Sequence, residues 1–595
     1  MIYLAPFTYP FIIGAAFMFL IVVWKYAMWF IDLPKEDVQK IKKGIFSKAT
    51  LYSVWEIFRE SLLHVRIFKR SLPLGYMHCS LALGWFMLIV VGWIETIVYL
   101  GNSFVPLYGH VFFRFFAAPV LTEHFWILDF LMDFFLLIVL SGVFLAWIKR
   151  FSSRLVGIRR TTKHVLTDRL AMSFLWFVFP LRLLSETVTA SIYGGGGFLT
   201  GSLGELFAAF LPSQLLSSLL MPFWWCYSIS LGGFFCFMPF SRYMHIFTEI
   251  PLILLRNWTL RPTLDEKSYD KFEIQACSRC GICIDECQLQ KVLGIENVQS
   301  VYFLRDKRYH MLRLATAQNC LMCGRCQQVC PVGINLNTLR LSTRAIMRNI
   351  PSEQRYNYFN GIDRSCGEGR VGYFAGCMTH LTPKIKISME KIFKAAGEDV
   401  WYADSEGSVC CGRPLMLSGE TDAARKMIKF NEELFRKHKI TTLVTSCPIC
   451  FRVFTEQYNL EGITVLHHTQ YIASILRSGR IALSPEECSY VYHDPCELGR
   501  GCGVYDEPRE VISRAANLME CSQNREHALC CGGSLSNFVI DDFQQQKIAS
   551  SVVEHLLLSG AERIATACPL CRKTLSRATE RRVMDIAEIV SERLT

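Results

Sequence analysis

Only three of the 25 cysteines in this 595-residue chain lie before residue 277. The first half therefore carries no cysteine framework. Thiols facing the cytoplasm stay reduced, so the dense set in the second half points to metal or redox chemistry rather than to disulfides. Lys and Arg are missing from 1–8 and 192–216, and 101–123 holds only Arg114. The first apolar run lacks a basic flank and a small-residue cleavage site, so no cleaved signal peptide is expected. No dinucleotide fingerprint is recognisable: Gly194–Gly197 lies between apolar runs, not in a strand–helix turn. The net charge of +11 could suggest nucleic acid. Many of the basic residues fall in two loops between apolar runs, which is a topology signal before it is a binding patch, and no nucleic-acid partner is expected.

What is present divides sharply. Residues 1–260 are long apolar runs rich in Phe and Trp, and 261–595 read as a soluble sequence. Five runs, near 9–30, 73–100, 124–148, 170–194 and 217–242, reach the roughly 20 residues that span a bilayer as a helix. Loop 31–70 holds nine Lys or Arg and loop 149–169 holds seven. The positive-inside rule then puts the N-terminus outside and both basic loops inside, and makes the chain a multi-pass protein of the cytoplasmic (inner) membrane with its soluble half in the cytoplasm. Within the spans, Asp129 with Asp133 and Arg182 with Glu186 are i,i+4 pairs, and Glu95 is a further acid. Such groups read either as a proton path or quinone pocket, or as self-neutralising and interfacial charges.

Two histidines fall at matching depth: His78, early in the second run, and His245, just past the fifth. Two neutral imidazoles on neighbouring helices can supply both axial positions of a haem, and each alone could equally be an interfacial histidine satisfied by a carbonyl. The segments Gly75-Tyr76-Met77-His78 and Pro239-Phe240-Ser241-Arg242-Tyr243-Met244-His245 resemble the cytochrome b (gamma) subunit of respiratory nitrate reductase and its heterodisulfide-reductase-associated relatives. That resemblance implies a cytoplasm-proximal haem b on His78 and His245. The second haem of that family would need histidines where this chain has Leu88 and Tyr227, so one haem is expected. His64, His110 and His124 could substitute as ligands, but each lies near a span boundary and reads better as a non-ligand.

The next signal is the most specific. Cys277, Cys280, Cys283 and Cys287 form a C-x2-C-x2-C-x3-C run, and Cys320, Cys323, Cys326 and Cys330 repeat it. This is the bacterial two-cluster ferredoxin pattern, in which three thiolates wrap one cubane and the fourth ligates the other. Pro331 follows the second run, whereas Gln288 stands in its place after the first. Zinc is the alternative for C-x2-C pairs, but it closes with four ligands and leaves two complementary runs unexplained.

From Val371 a duplication with a period of about 120 residues begins. Cys377, Cys410, Cys411, Cys447 and Cys450 correspond to Cys496, Cys530, Cys531, Cys568 and Cys571. Short apolar runs precede the cysteines and helical patterns intervene, which predicts a small α/β unit used twice with its ligands at strand ends. The arrangement resembles the CCG domain of the heterodisulfide reductase catalytic subunit. It implies that these ten cysteines are catalytic and hold up to two non-cubane [4Fe–4S] clusters beside the two cubane [4Fe–4S] clusters. The ferredoxin and CCG sets use 18 of the 25 cysteines.

The expected fold is multidomain: an all-α transmembrane five-helix bundle (1–255), a linker (256–272), a ferredoxin-like two-cluster helical domain (273–350), and a duplicated α/β CCG domain (365–480 and 485–595). The whole order resembles a fusion of the two subunits of membrane-bound heterodisulfide reductase, and also membrane proteins that link electron-transfer flavoprotein to menaquinone. The expected function is oxidoreduction between a cytoplasmic redox partner, such as electron-transfer flavoprotein, and menaquinone as substrate. The alternatives are a quinol-dependent disulfide reductase and a non-catalytic electron conduit among other respiratory subunits.

Overall fold

The computed structural model describes residues 4–100, 105–119, 126–151, 164–264, 267–347, 363–405, 407 and 409–595. They form two bodies, one of residues up to Pro262 with Lys267–Gly281, the other of Thr263, Leu264 and Ile282–Thr595.

The first body holds five helices long and apolar enough to cross a membrane. They are α1 (Tyr9–Ile31), α2 (Leu72–Leu100), α3 (Trp126–Phe151), α4 (Leu166–Tyr193) and α5 (Ser213–Phe237). Helix α5 packs on α4 and α1, and α2 packs on α3. Without a hydrophobic drive between helices in lipid, close contact depends on small residues. A Cβ on Gly14 of α1 would collide with the backbone of Gly232 on α5, and one on Gly84 of α2 would stand 2.6 Å from Val139 of α3. Ile13, Phe19, Leu20 and Trp24 turn outward and are exposed, while Phe7, Phe11, Phe112, Trp224 and Tyr227 fill the interior. The first basic loop is helical, over Lys35–Ile45, Lys48–Ile57 and Val65–Arg70. The stretch 256–272 contains the end of helix His245–Asn257 and the start of helix Ser268–Ala276. Phe272 of the latter packs on Tyr26, Trp29 and Phe30 of α1.

In the second body, short helices from Ile282–Asp285 to Leu336–Met347 precede two α/β halves. The first half has strands β1 (Val371–Phe374), β2 (Val400–Tyr402), β3 (Thr442–Thr445) and β4 (Thr464–His467), parallel in the order β2-β1-β3-β4. The second repeats it with β5 (Ser489–His493), β6 (Asn517–Met519), β7 (Arg563–Thr566) and β8 (Val583–Asp585), in the order β6-β5-β7-β8. The central strands are buried along almost their whole length, as parallel strands covered by helices on both faces must be. One core runs through both halves and includes Tyr373, Ile392, Ile472, Tyr490, Tyr492, Val511, Ile586 and Val590. Cys377, Cys447, Cys496 and Cys568 each follow the carboxyl end of a central strand by two or three residues, the end at which open parallel sheets bind ligands.

Candidate functional site

In the first α/β half the backbone gathers the thiols. Gly376 adopts φ +79°, and a Cβ there would stand 2.9 Å from the Cys450 sulfur, so the β1 turn brings Cys377 against the Cys447–Cys450 loop. Gly412, at φ +85°, turns the chain sharply after Cys411. Hydrogen bonds from Cys410 and Cys450 hold the Cys411 thiol well below its ordinary range. Cys450 also contacts Cys447. Desolvation by the surrounding chain, with Cys447 and Cys411 adding to it, pushes Cys377 up to about 12 even though part of the residue reaches the surface. The Gly412 N–H donates to the Cys410 sulfur at 3.4 Å. All five cysteines of the first set thus share one site, and Cys377 is its exposed member.

The second half repeats this. Cys530 hydrogen-bonds Cys496 and Cys531, and Cys571 bonds Cys531 and Cys568. Cys531 is pulled well down by Cys530 and Cys571. Here the site also meets the second ferredoxin run, because Cys530 bonds Cys323. That bond, with Arg500 and Arg325 alongside, overrides burial and draws Cys323 down to about 6. Cys287, the last cysteine of the first run, lies with Cys320, Cys323 and Cys326.

The junction between Cys323 and Cys530 is closely stitched. The side-chain amide of Gln288 donates to the Cys530 carbonyl at 3.0 Å and accepts from its N–H at 2.8 Å. Arg500 donates to the carbonyls of Cys323 (2.7 Å) and Ala528 (2.7 Å). Buried Arg325 donates to Ala528 (3.0 Å) and pairs with Glu286 (2.5 Å). Ser300 donates to the Cys326 sulfur at 3.1 Å and the Met322 N–H to the Cys320 sulfur at 3.3 Å, contacts of the kind that tune cluster potentials. Sequence reasoning singled out Gln288 only as a departure from proline, and gave the arginines no role because their partners are distant in the chain.

The two halves meet near their sites. Cys568 of the second set feels the charge of Cys447 of the first. Glu497, next to Cys496, lies 2.9 Å from Arg452 and 3.7 Å from Arg413, which follows the first CCG triplet. Burial favours its neutral form, but the two guanidinium groups outweigh that and hold its carboxyl low. Deeper in, fully buried His468 and Asp585 pair at 3.0 Å across the duplication. The donor sets fit iron–sulfur chemistry: mostly buried thiols converge near strand ends, and N–H and O–H groups point at sulfur.

In the first body, His78 lies near His64, Lys149, His245 and Arg242. His245 donates from Nδ1 to the Arg242 carbonyl at 2.8 Å, which fixes its tautomer and ring orientation. Imidazoles beside two cations fit a haem with its anionic propionates. At the other end of the bundle, Leu88 and Tyr227 are 2 % exposed. Tyr227 packs edge-on against Phe112 and Trp224, so aromatic rings fill that space. His110 lies on the short helix Leu107–Val111, and His124 lies outside the described residues.

Arg279, inside the first cysteine run, forms a buried ion pair with Asp168 at the start of α4. The same carboxylate accepts the Arg242 N–H at 2.7 Å, three residues from His245. Of the charges in the spans, Arg114 pairs with Glu95 (2.7 Å) and Asp129 (2.6 Å), and Arg182 with Glu186 (2.9 Å). Asp133 accepts from the Leu199 and Thr200 N–H groups at 2.7 and 2.8 Å, which anchors helix Thr200–Phe210.

Comparison with known proteins agrees with this layout. The cysteine-rich domain model matches residues 371–455 and 490–576, and the 4Fe-4S dicluster domain model matches 273–334. The chain is 21 % identical to "EtfAB:quinone oxidoreductase" of Syntrophomonas wolfei, over 98 % of this chain and 96 % of that protein. It is 24 % identical to one polypeptide of the dihydromethanophenazine:CoB–CoM heterodisulfide reductase of Methanosarcina barkeri, over 56 % of this chain and 98 % of that one. It is also 24 % identical to one polypeptide of the fumarate reductase (CoM/CoB) of Methanothermobacter marburgensis, over 55 % and 73 %. With two cysteine-rich domains, a dicluster domain and, among the described residues, five helices long and apolar enough to span a membrane, the chain is an iron–sulfur oxidoreductase similar to the heterodisulfide reductases.

Proposed function

We propose that the chain passes electrons between a soluble redox partner at its iron–sulfur half and the quinone pool at its membrane half. The partner is electron-transfer flavoprotein and the quinone is menaquinone. The observation that carries this reading is the contact of Cys323 with Cys530, which makes the ferredoxin and CCG sets continuous. The nearly full-length likeness to an EtfAB:quinone oxidoreductase supports the choice of partner. On this reading the 18 cysteines hold two cubane and two non-cubane clusters, and His78 and the imidazoles near it hold one haem b. Bound, these groups supply one-electron sites. The protein's own residues hold the thiols at strand ends, set the local charge through Arg325, Arg500 and Glu497, and keep the junction dry. The Arg279–Asp168–Arg242 connection ties the first cysteine run to the inner face beside His245. The outer-half space, filled around Tyr227, favours a single haem. The N-terminus lies outside and the iron–sulfur half in the cytoplasm.

A second reading, disulfide reduction by quinol, is favoured by the exposure of Cys377 and by two complete, adjacent sets. The test uses full-length protein in lipid nanodiscs, reduced and then mixed separately with oxidised flavoprotein, a menaquinone analogue and candidate disulfides. Cluster reoxidation followed by EPR should be rapid with the quinone. Flavoprotein-to-quinone turnover should be lost in Cys411→Ser and Cys531→Ser. Reoxidation by a disulfide, with no flavoprotein turnover, would reject the relay.

A further inference from the structure

We infer that His64, from the first basic loop, is the axial partner of His78 on the haem. The inference rests on the haem reading above and changes one of its ligands. The rings of His64 and His78 have centroids 5.6 Å apart and planes 26° apart. Rings in ordinary offset-stacked contact have centres about 4.5–7 Å apart. Two imidazoles bound on opposite sides of one metal, with bonds of about 2.0–2.1 Å, put their centres about 6 Å apart. The observed spacing fits both arrangements, and the tautomer and backbone of His64 select the second.

The ring is also oriented for the task. His64 Nδ1 donates to the Leu62 carbonyl at 3.2 Å, which leaves Nε2 as the nitrogen with a lone pair. Its backbone is left-handed, at φ 54° and ψ 41°, and follows a single π-turn over Phe58–Leu62. Both features cost energy in a β-substituted residue and concentrate where function requires them. The surroundings hold the strain in place. Glu60 accepts the Arg66 N–H at 3.0 Å, and Glu56 accepts from Arg66 (2.8 Å), Arg256 (2.8 Å) and Asn257 (3.0 Å). A loop clamped from both sides holds this histidine in a strained conformation beside His78. Sequence reasoning named His64 as a substitute ligand and set it aside because it lies near a span boundary.

The test uses full-length protein purified in detergent, with haem read by pyridine haemochrome, low-temperature EPR and near-infrared magnetic circular dichroism. In His64→Met the bis-histidine signal should give way to a histidine–methionine signature, with a methionine–iron charge-transfer band and a raised midpoint potential. His245→Met should keep the bis-histidine signature. Conversion by His245→Met, or an unchanged spectrum in His64→Met, overturns the assignment. Because methionine can coordinate, retained haem with changed ligation separates coordination from a merely structural role. Absence of haem from the wild type would instead reject the haem reading itself.

Discussion

Gln288 stands where the ferredoxin pattern has proline, and its amide makes two hydrogen bonds to the backbone of Cys530. Proline has neither the donor nor the side-chain acceptor. Gln288→Leu should therefore leave iron and sulfide content intact while loosening the junction by about 1–3 kcal/mol. Freeze-quench EPR should then show slower electron exchange between the ferredoxin clusters and the CCG pair, and a wild-type rate would remove the role. Glu497 makes a different case. Glu497→Gln takes a negative charge from beside Cys496, so reduction there, which adds negative charge, becomes easier. A potentiometric EPR titration should find that cluster's midpoint shifted upward, with the ferredoxin midpoints nearly fixed. At Arg279, substitution by Ala strands the buried Asp168 carboxylate, and breaking such a pair costs about 3–5 kcal/mol. Thermal unfolding of the purified protein should begin at a lower temperature, and Asp168→Asn in the same chain should restore part of the loss.

Strands and helices carry the duplication. Each central strand is only four or five residues long, and each ends close to a cysteine. Their apolar character and the turn signals after them are local, so the α/β units were legible in the sequence. The pairing of the halves was not. It depends on Pro383–Ala395 packing against Ile586–Arg593, on Ser388 with Ser591, and on His468 with Asp585. Asp585→Ala would remove the carboxylate beside buried His468 at the seam, together with its bond from the Ala587 N–H. A loss of about 1–3 kcal/mol in denaturant unfolding is expected, with both CCG sites affected together because one core runs through both halves. In the membrane half, the five apolar runs read directly as helices, since 20-residue hydrophobicity is a local property. Which helices touch was decided by Gly14 against Gly232 and by Gly84 against Val139, contacts that no periodicity in either run encodes.

For the whole molecule, the four cysteine sets and one haem predict about 17 irons per chain. Anaerobic iron, acid-labile sulfide and haemochrome assays check this, and a value near eight would mean that the duplicated domain holds no clusters. The sequence by itself determined the cysteine sets, the duplication and the five apolar spans, because cysteine spacing and apolar run length are properties of contiguous chain. The tertiary structure decided which sites adjoin. Cys323 meets Cys530, Cys447 approaches Cys568, and a histidine outside every helix pattern faces His78, because side chains hundreds of residues apart, or across a strained turn, are brought together only by packing and buried hydrogen bonds.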